Sequence, residues 1–148
     1  MDRLLLLVVV ATAAGTLAHL VQRRRPDAPV RTGWSVPQQL DRRDFDRPDA
    51  PWLVAVFTSA RCETCSSVVE VASPLESEAV AFHEVEAGAR KDLHGRYAVE
   101  AVPMVLLVDA AGVVRSHHLG PVSATHLWGS LAELRQPGCT PDGCSAGD

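Results

Sequence analysis

Short apolar runs and segments of helical periodicity alternate between Trp52 and Leu134, and this order constrains the fold more than any other feature of the chain. Along the sequence the order is strand, helix, strand, helix, hairpin and helix. Alternating strands and helices imply parallel pairing at the start, and the hairpin adds an antiparallel pair. The sequence therefore predicts an α/β fold, with a mixed central sheet covered by helices on both faces.

The boundaries of these elements follow from local composition. The first strand is expected at 52–57, a continuous apolar run typical of a strand buried on both faces. The first helix is expected from Cys62 to Ala72, because Pro74 prevents its continuation. The other elements are a strand at 79–85, a helix at 89–97, hairpin strands at 104–108 and 113–118 with a turn at 110–112, and a helix at 125–134.

A pair of cysteines, Cys62 and Cys65, stands directly after the predicted buried strand and at the start of the predicted helix. Unpaired N–H groups and the dipole at a helix N-terminus stabilise an anion, so the thiolate of Cys62 is expected to be favoured. Arg61 would favour the thiolate further, and Glu63 would oppose it. Thr64 is the third residue expected to tune the pair. Cys65 lies one helical turn on, where it can attack a mixed disulfide formed at Cys62. The spacing predicts Cys62 as the nucleophile and Cys65 as the resolving cysteine.

The pattern Phe57-x4-Cys62-x2-Cys65, followed much later by Val102-Pro103, resembles the thioredoxin family. Members of that family carry an aromatic residue at the strand end, the active-site cysteine pair, and a cis proline that faces the pair. The resemblance covers residues 52–134, and the glycines at 112 and 120 also fall where the family has glycines. It implies a thioredoxin-like fold in which Pro103 is cis and lies beside the sulfur of Cys62, and in which the backbone of Val102 holds an extended client segment in strand fashion.

The sequence departs from the family pattern around the cysteine pair. Arg61 stands where thioredoxins have a tryptophan, and Val56 stands where they have a buried acid thought to help move the proton of the second cysteine. The dipeptide between the cysteines is Glu-Thr rather than Gly-Pro, and Met104 follows the proline. These differences predict a more restricted range of partners, and slower resolution by Cys65 than in an ordinary thioredoxin.

We therefore expect a thiol–disulfide oxidoreductase that acts on protein cysteines. Such a protein needs no bound cofactor, only client protein thiols or disulfides and an electron donor or acceptor. The alternative is a membrane-tethered thioredoxin-fold adaptor or metal-binding module without redox turnover. Copper-delivery relatives of the fold commonly use Cys-x-x-x-Cys with a distant histidine, so the Cys-x-x-Cys spacing found here favours redox chemistry.

A second cysteine pair, Cys139 and Cys144, lies in a Gly/Pro-rich tail at 137–148 that is expected to be flexible. This pair could relay electrons to Cys62 and Cys65, bridge to a partner, or close a small disulfide loop. All four cysteines could instead form a structural zinc site, but a long folded stretch separates the two pairs, which disfavours that interpretation. No metal site is therefore predicted.

An apolar segment without charged residues runs from Leu4 to Val21. Its 18 residues are near the lower limit for a helix that crosses a bilayer. The arginines at 23–25 follow it directly, which suits a membrane stop better than the region around a signal-peptide cleavage site. The alternative is a cleaved secretory signal with its cleavage site at 11–13. We predict a transmembrane anchor at 1–22 and hence a single-pass membrane protein.

The orientation of this anchor depends on the arginines that flank it. Arg23, Arg24, Arg25 and Arg31 outnumber Arg3 on the other side, so the positive-inside rule favours a cytoplasmic domain. Many membrane-tethered thioredoxin-like proteins face the extracytoplasmic side, and that orientation is the alternative. The predicted organisation is an anchor at 1–22, a linker and lead-in at 23–50, the thioredoxin-like domain at 51–136 and the tail at 137–148.

The remaining polar features indicate no further site. A net charge of −4 argues against a nucleic-acid surface. The mixed-charge stretch at 41–44 is expected to be a solvated face, and Trp34 and Phe45 are expected to pack onto the domain edge. The adjacent histidines at 117 and 118 should point to opposite faces of a strand, and those at 83, 94 and 126 are expected to be exposed. Asp109 and Ser123 are expected to be a turn residue and a helix cap.

Overall fold

The computed structural model describes residues 33–138, and this part of the chain forms a four-stranded sheet with three α-helices. The predicted order of strands and helices is confirmed. The strands are β1 (Trp52–Thr58), β2 (Val80–Glu86), β3 (Met104–Asp109) and β4 (Val114–Leu119). The helices are α1 (Cys65–Ala72), α2 (Lys91–Arg96) and α3 (Ala124–Arg135), with 3-10 turns at Arg42–Asp44 and Ser73–Leu75.

The sheet is mixed, as predicted, with the strand order β2-β1-β3-β4. β1 and β2 are parallel, and β3 runs antiparallel to both β1 and β4. In the hairpin turn the carboxylate of Asp109 accepts hydrogen bonds of 2.9 Å from the N–H groups of Ala111 and Val113. The hydroxyl of Ser123 accepts one of 3.3 Å from the N–H of His126 at the start of α3. Asp109 and Ser123 are therefore the turn and cap residues that the sequence predicted.

Two layers of apolar side chains pack against opposite faces of the sheet. β1 is a central strand whose residues 53–57 are fully buried, because its successive side chains enter alternate layers. One layer contains Val54 and Val56 together with residues of α1 and α3. The other contains Phe57 together with Leu93 of α2. Burying a valine, leucine or phenylalanine side chain in this way stabilises a fold by roughly 1.5–3 kcal/mol.

Two helices begin later than predicted. α1 begins at Cys65 rather than at Cys62, because residues 62–65 form a turn in which the N–H of Cys65 lies 3.4 Å from the carbonyl oxygen of Cys62. α2 begins at residue 91 rather than 89, because Glu86 accepts 2.8 Å hydrogen bonds from the N–H groups of residues 88 and 89 and holds them in a turn. Cys62 therefore lies one turn before the helix and not at its first residue.

The stretch at 41–44 is not the solvated face that the sequence predicted. Arg42 is only 7% exposed, and its guanidinium donates to the carbonyl oxygens of Asp109 at 2.8 Å and Ala50 at 2.9 Å. A buried charge is tolerated where hydrogen bonds replace its hydration, and these carbonyls replace part of it, while the buried Nε atom of Arg42 has no hydrogen-bond partner among the described residues. Phe45 is buried in the core, whereas Trp34 is 55% exposed.

Arg42 should contribute more to stability than its neighbour Arg43, whose side chain is 85% exposed. We expect Arg42→Ala to lower the free energy of unfolding by roughly 2–4 kcal/mol, because two carbonyl groups lose a charged donor. Arg43→Ala is the matched control and should leave stability nearly unchanged. Urea unfolding followed by circular dichroism measures both variants. Equal effects of the two substitutions would contradict the structural role of Arg42.

The histidines are less exposed than predicted. On β4, residue 117 is exposed and residue 118 is partly buried, which agrees with the predicted alternation. The prediction of exposure is correct for residue 126 but wrong for two others. The Nδ1 atom of His83 lies 2.9 Å from the carboxylate of Asp46, and the Nε2 atom of His94 lies 2.9 Å from the carbonyl oxygen of Val85. Each ring also packs edge-on against a buried phenylalanine, His83 against Phe45 and His94 against Phe57.

Within residues 33–138, no helix is both long and apolar enough to cross a bilayer. The predicted anchor at 1–22 and the cysteines at 139 and 144 lie outside the described residues. The predictions made for them stay predictions.

Candidate functional site

The cysteine pair lies where β1 leads into α1. Cys62 is in the turn between the two elements, and Cys65 is the first residue of α1. The two residues form a disulfide, with their Cα atoms 5.5 Å apart. Cys65 is 4% exposed, whereas Cys62 is partly exposed. The more accessible of the two is therefore Cys62, which is the residue that the sequence predicted as the nucleophile.

The loop that carries Cys62 is fastened to the end of β2 by Glu86. One carboxylate oxygen accepts a 3.1 Å hydrogen bond from the N–H of Ala60, and the other accepts 2.8 Å bonds from the N–H groups of residues 88 and 89. These bonds favour the charged carboxylate and so lower the pKa of Glu86. Within the loop, the N–H of Cys62 donates to the carbonyl of Ser59 at 3.0 Å. Sequence reasoning missed Glu86, whose only signal is an acid at a strand end shortly before a glycine.

The peptide bond between Val102 and Pro103 is cis, as the resemblance implied. Pro103 is buried and directly precedes β3, whose first residue, Met104, pairs with Phe57 near the end of β1. The carbonyl of Pro103 accepts a 2.8 Å hydrogen bond from the N–H of Gly120, which joins the start of β3 to the end of β4. Pro103 and the cysteine loop therefore lie at the same end of the sheet.

No protein-family model and no curated protein matches the sequence. Among solved structures, a mutant thioredoxin from Halobacterium salinarum NRC-1 is similar over 69% of this chain and 95% of its own, at 21% identity and a TM-score of 0.53. The chain has a thioredoxin-like fold. A malarial protein is also similar, over 56% of this chain and 96% of its own, at 15% identity and a TM-score of 0.51. At these identities the likeness establishes the fold and not the activity.

The residues predicted to tune the pair, Arg61, Glu63 and Thr64, are all exposed in this thioredoxin-like fold. The hydroxyl oxygen of Thr64 lies 3.9 Å from the sulfur of Cys62. The side chains of Arg61 and Glu63 lie in solvent beside the pair, where water and salt screen their charges. Of these three residues, only Thr64 has a side-chain atom within hydrogen-bonding distance of the sulfur.

A cavity of about 340 Å³ opens beside the disulfide. It is lined by the two cysteines, two carboxylates and four other small residues, namely Thr58, Ser59, Ala60, Cys62, Cys65, Ser66, Glu84 and Glu86. The position at which thioredoxins have a buried acid is occupied by Val56, which is fully buried in the apolar layer and cannot titrate. Sequence reasoning missed Glu84. Only the register of the parallel strands, which pairs Val56 with Glu84, brings this carboxylate to the cysteines.

No group of three or more His, Cys, Asp or Glu side chains within residues 33–138 is arranged to hold a metal ion. The zinc alternative would require Cys139 and Cys144, which lie outside the described residues. The described residues can carry out one reaction class without a cofactor. A cysteine pair that closes a disulfide transfers two electrons to another disulfide, and a pair whose disulfide opens takes two electrons from a dithiol.

Proposed function

We propose that this protein is a thiol–disulfide oxidoreductase that acts on protein cysteines through Cys62 and Cys65. The observation that carries the proposal is the disulfide between an accessible loop cysteine and a buried cysteine at the start of α1. The cis Pro103 at the same end of the sheet adds support. The thioredoxin-like fold adds further support, because it is the fold of a solved thioredoxin.

In the reducing direction, the thiolate of Cys62 attacks one sulfur of a client disulfide. The client S–S bond breaks, a mixed disulfide forms at Cys62, and the first client sulfur leaves as a thiolate that takes up a proton. Cys65 then loses its proton and attacks the sulfur of Cys62. The mixed disulfide breaks, the second client thiol leaves, and the disulfide between Cys62 and Cys65 closes. Two electrons have passed to the client, and the reverse sequence oxidises it.

Client binding in this proposal uses the backbone beside the cis proline. An extended client segment pairs with the main chain at Val102. Because main-chain hydrogen bonds do not depend on the side chains of the client, this mode of binding is compatible with many client sequences. Side-chain contacts to Arg61 and Glu63 restrict the choice of client. The segment at 4–21 tethers the protein to a membrane, with the domain on the cytoplasmic side by the arginine count.

A redox titration tests the proposed function. The full chain is equilibrated with mixtures of reduced and oxidised glutathione, its free thiols are alkylated, and the modified peptides are quantified by mass spectrometry. Because the peptides separate Cys62 and Cys65 from Cys139 and Cys144, each pair gives its own curve. We expect a reversible two-electron transition at Cys62 and Cys65, in which a tenfold change in equilibrium constant corresponds to about 30 mV.

Two outcomes would contradict the proposal. One is a Cys62–Cys65 pair that stays reduced over the whole range of glutathione potentials. The other is a pair protected from alkylation by a metal ion that copurifies with the chain. Either result would favour the binding module without redox turnover.

A further inference from the structure

Two carboxylates share the cavity with the cysteine pair. Glu84 and Glu86 lie on β2, and the parallel register pairs them with Val56 and Thr58 of β1. Paired residues of neighbouring strands project to the same face, and so do residues two apart on one strand. Val56 belongs to the layer that α1 covers. Both carboxylates therefore emerge on the side of the sheet that carries Cys65.

Glu86 is not suited to accept a proton. Its two oxygens accept hydrogen bonds from three backbone N–H groups, and these bonds lower the pKa of Glu86. Protonation would weaken the bonds that fasten the cysteine loop to β2. The role of Glu86 is therefore structural.

Glu84 is held in a different way. Its carboxylate accepts a 2.8 Å hydrogen bond from the hydroxyl of Thr58, which is 2% exposed. An ionised carboxylate offers about four lone-pair positions, so one such bond orients it and leaves capacity to accept a proton. Glu84 is thus an oriented carboxylate that lines the same cavity as Cys65.

Cys65 needs a proton acceptor because the thiolate, and not the thiol, attacks a disulfide. Cys65 is 4% exposed, which limits its direct contact with bulk water. We propose that Glu84 accepts the proton of Cys65, across the cavity that both residues line, when Cys65 resolves a mixed disulfide. This role rests on the proposed function and names the proton-transfer residue for its second step.

The step balances without any added reagent. The proton passes from the Cys65 sulfur to the Glu84 carboxylate, directly or through water in the cavity. The new thiolate forms a bond to the sulfur of Cys62, and the bond between Cys62 and the client sulfur breaks. The departing client thiolate takes a proton from Glu84 or from solvent. The electron pair that enters the client sulfur comes from the two protein thiols, which end as a disulfide.

Glu84 is exposed to solvent on one side, and three other titratable groups line the cavity with it. Cys62 and Cys65 face it from the loop and from α1, and Glu86 faces it from its own strand. Thr58 faces it from β1 and carries no charge. A negative charge at Glu86 favours the arrival of a proton in the cavity. The neighbouring groups therefore assist the proposed transfer.

A single-turnover reaction with an aromatic disulfide that releases a coloured thiolate tests the role of Glu84. The full chain carries Cys139→Ser and Cys144→Ser, so that only Cys62 and Cys65 react. The first released thiolate reports attack by Cys62, and the second reports resolution by Cys65. We expect Glu84→Gln to slow the second phase by about 10- to 100-fold near pH 6 and to leave the first phase unchanged. The second phase should also become steeper in pH, rising about tenfold per unit as solvent forms the thiolate.

The amide of Glu84→Gln can still accept the hydrogen bond from Thr58, so the strand geometry is preserved. Glu70→Gln is the matched control, because Glu70 is an exposed carboxylate of α1 outside the cavity lining. If Glu84→Gln matches Glu70→Gln in both rate and pH profile, the proton role is wrong while the proposed function stands. Equal slowing of both phases would also overturn it. If the parent chain releases no coloured thiolate from Cys62, the proposed function itself fails.

Discussion

In a chain that also carries Cys139→Ser and Cys144→Ser, Cys62→Ser should abolish thiol–disulfide exchange, lowering the rate with a disulfide-bonded protein such as insulin by at least about 1,000-fold. The partly exposed Cys62 is the residue of the pair that a client can reach, since Cys65 is 4% exposed. A serine hydroxyl forms no anion near neutral pH and no bond to the client sulfur. The loss is measured as the rate of insulin reduction with a chemical reductant supplied in excess.

Cys65→Ser should produce a different defect. In a chain that also carries Cys139→Ser and Cys144→Ser, attack by Cys62 still occurs but no other thiol resolves the product, so the reaction stops at one mixed disulfide per chain. Intact mass spectrometry detects this adduct, and added reductant removes it. Ser66→Ala is the matched control, because it changes a neighbouring cavity residue without altering either sulfur. Exchange that survives in Cys62→Ser, or full turnover by Cys65→Ser, would contradict the assigned roles.

The sequence predicted those parts of the site that depend on local order along the chain. The apolar run ending at Phe57 predicted β1, and the spacing that follows correctly placed Cys62 after the end of this buried strand, although Cys62 lies in the turn before the helix and not at its start. The resemblance implied the cis bond before Pro103, which the structure contains. The strand and the position of the cysteines can be recognised from a few neighbouring residues, whereas the cis bond was implied only by the family pattern that joins Pro103 to the distant cysteine pair.

Two features that the sequence did not predict, the burial of Arg42 and the position of Glu84, depend on partners farther along the chain. Arg42 is buried because carbonyls at residues 50 and 109 accept its hydrogen bonds, and a run of mixed charge gives no sign of them. Glu84 reaches the cysteine cavity only because β1 and β2 pair in one particular register. The late start of α1 has a local cause, the turn at 62–65, but that turn leaves the helical apolar pattern unchanged. For Arg42 and Glu84, the missing information was therefore which distant residues they contact and in which register β1 and β2 pair.

Gly112→Ala should be among the most destabilising single substitutions in the domain, lowering the free energy of unfolding by about 3–5 kcal/mol. Gly112 lies in the turn between β3 and β4 at a φ of +81°, a left-handed conformation that costs an L-residue about 1–2 kcal/mol. A Cβ there would also lie 2.1 Å from the carbonyl oxygen of Leu40. Relief of that clash would break the 2.8 Å hydrogen bond from the N–H of Leu40 to the carbonyl of Gly112. The lead-in segment would then separate from the hairpin.

Gly120→Ala separates the cost of the left-handed conformation from that of the steric clash. Gly120 has nearly the same φ, +82°, but no atom lies within 4 Å of an added Cβ. Only the conformational cost of about 1–2 kcal/mol should appear there. Gly95→Ala, in α2 with an equally open surrounding, should be neutral or stabilising by up to about 1 kcal/mol, because alanine favours helix. Urea unfolding of the three variants gives the order directly. If Gly112→Ala and Gly120→Ala lower the free energy of unfolding equally, the clash with Leu40 costs no additional stability. The lead-in segment can then move away from the hairpin without loss, and its packing at Leu40 does not stabilise the domain.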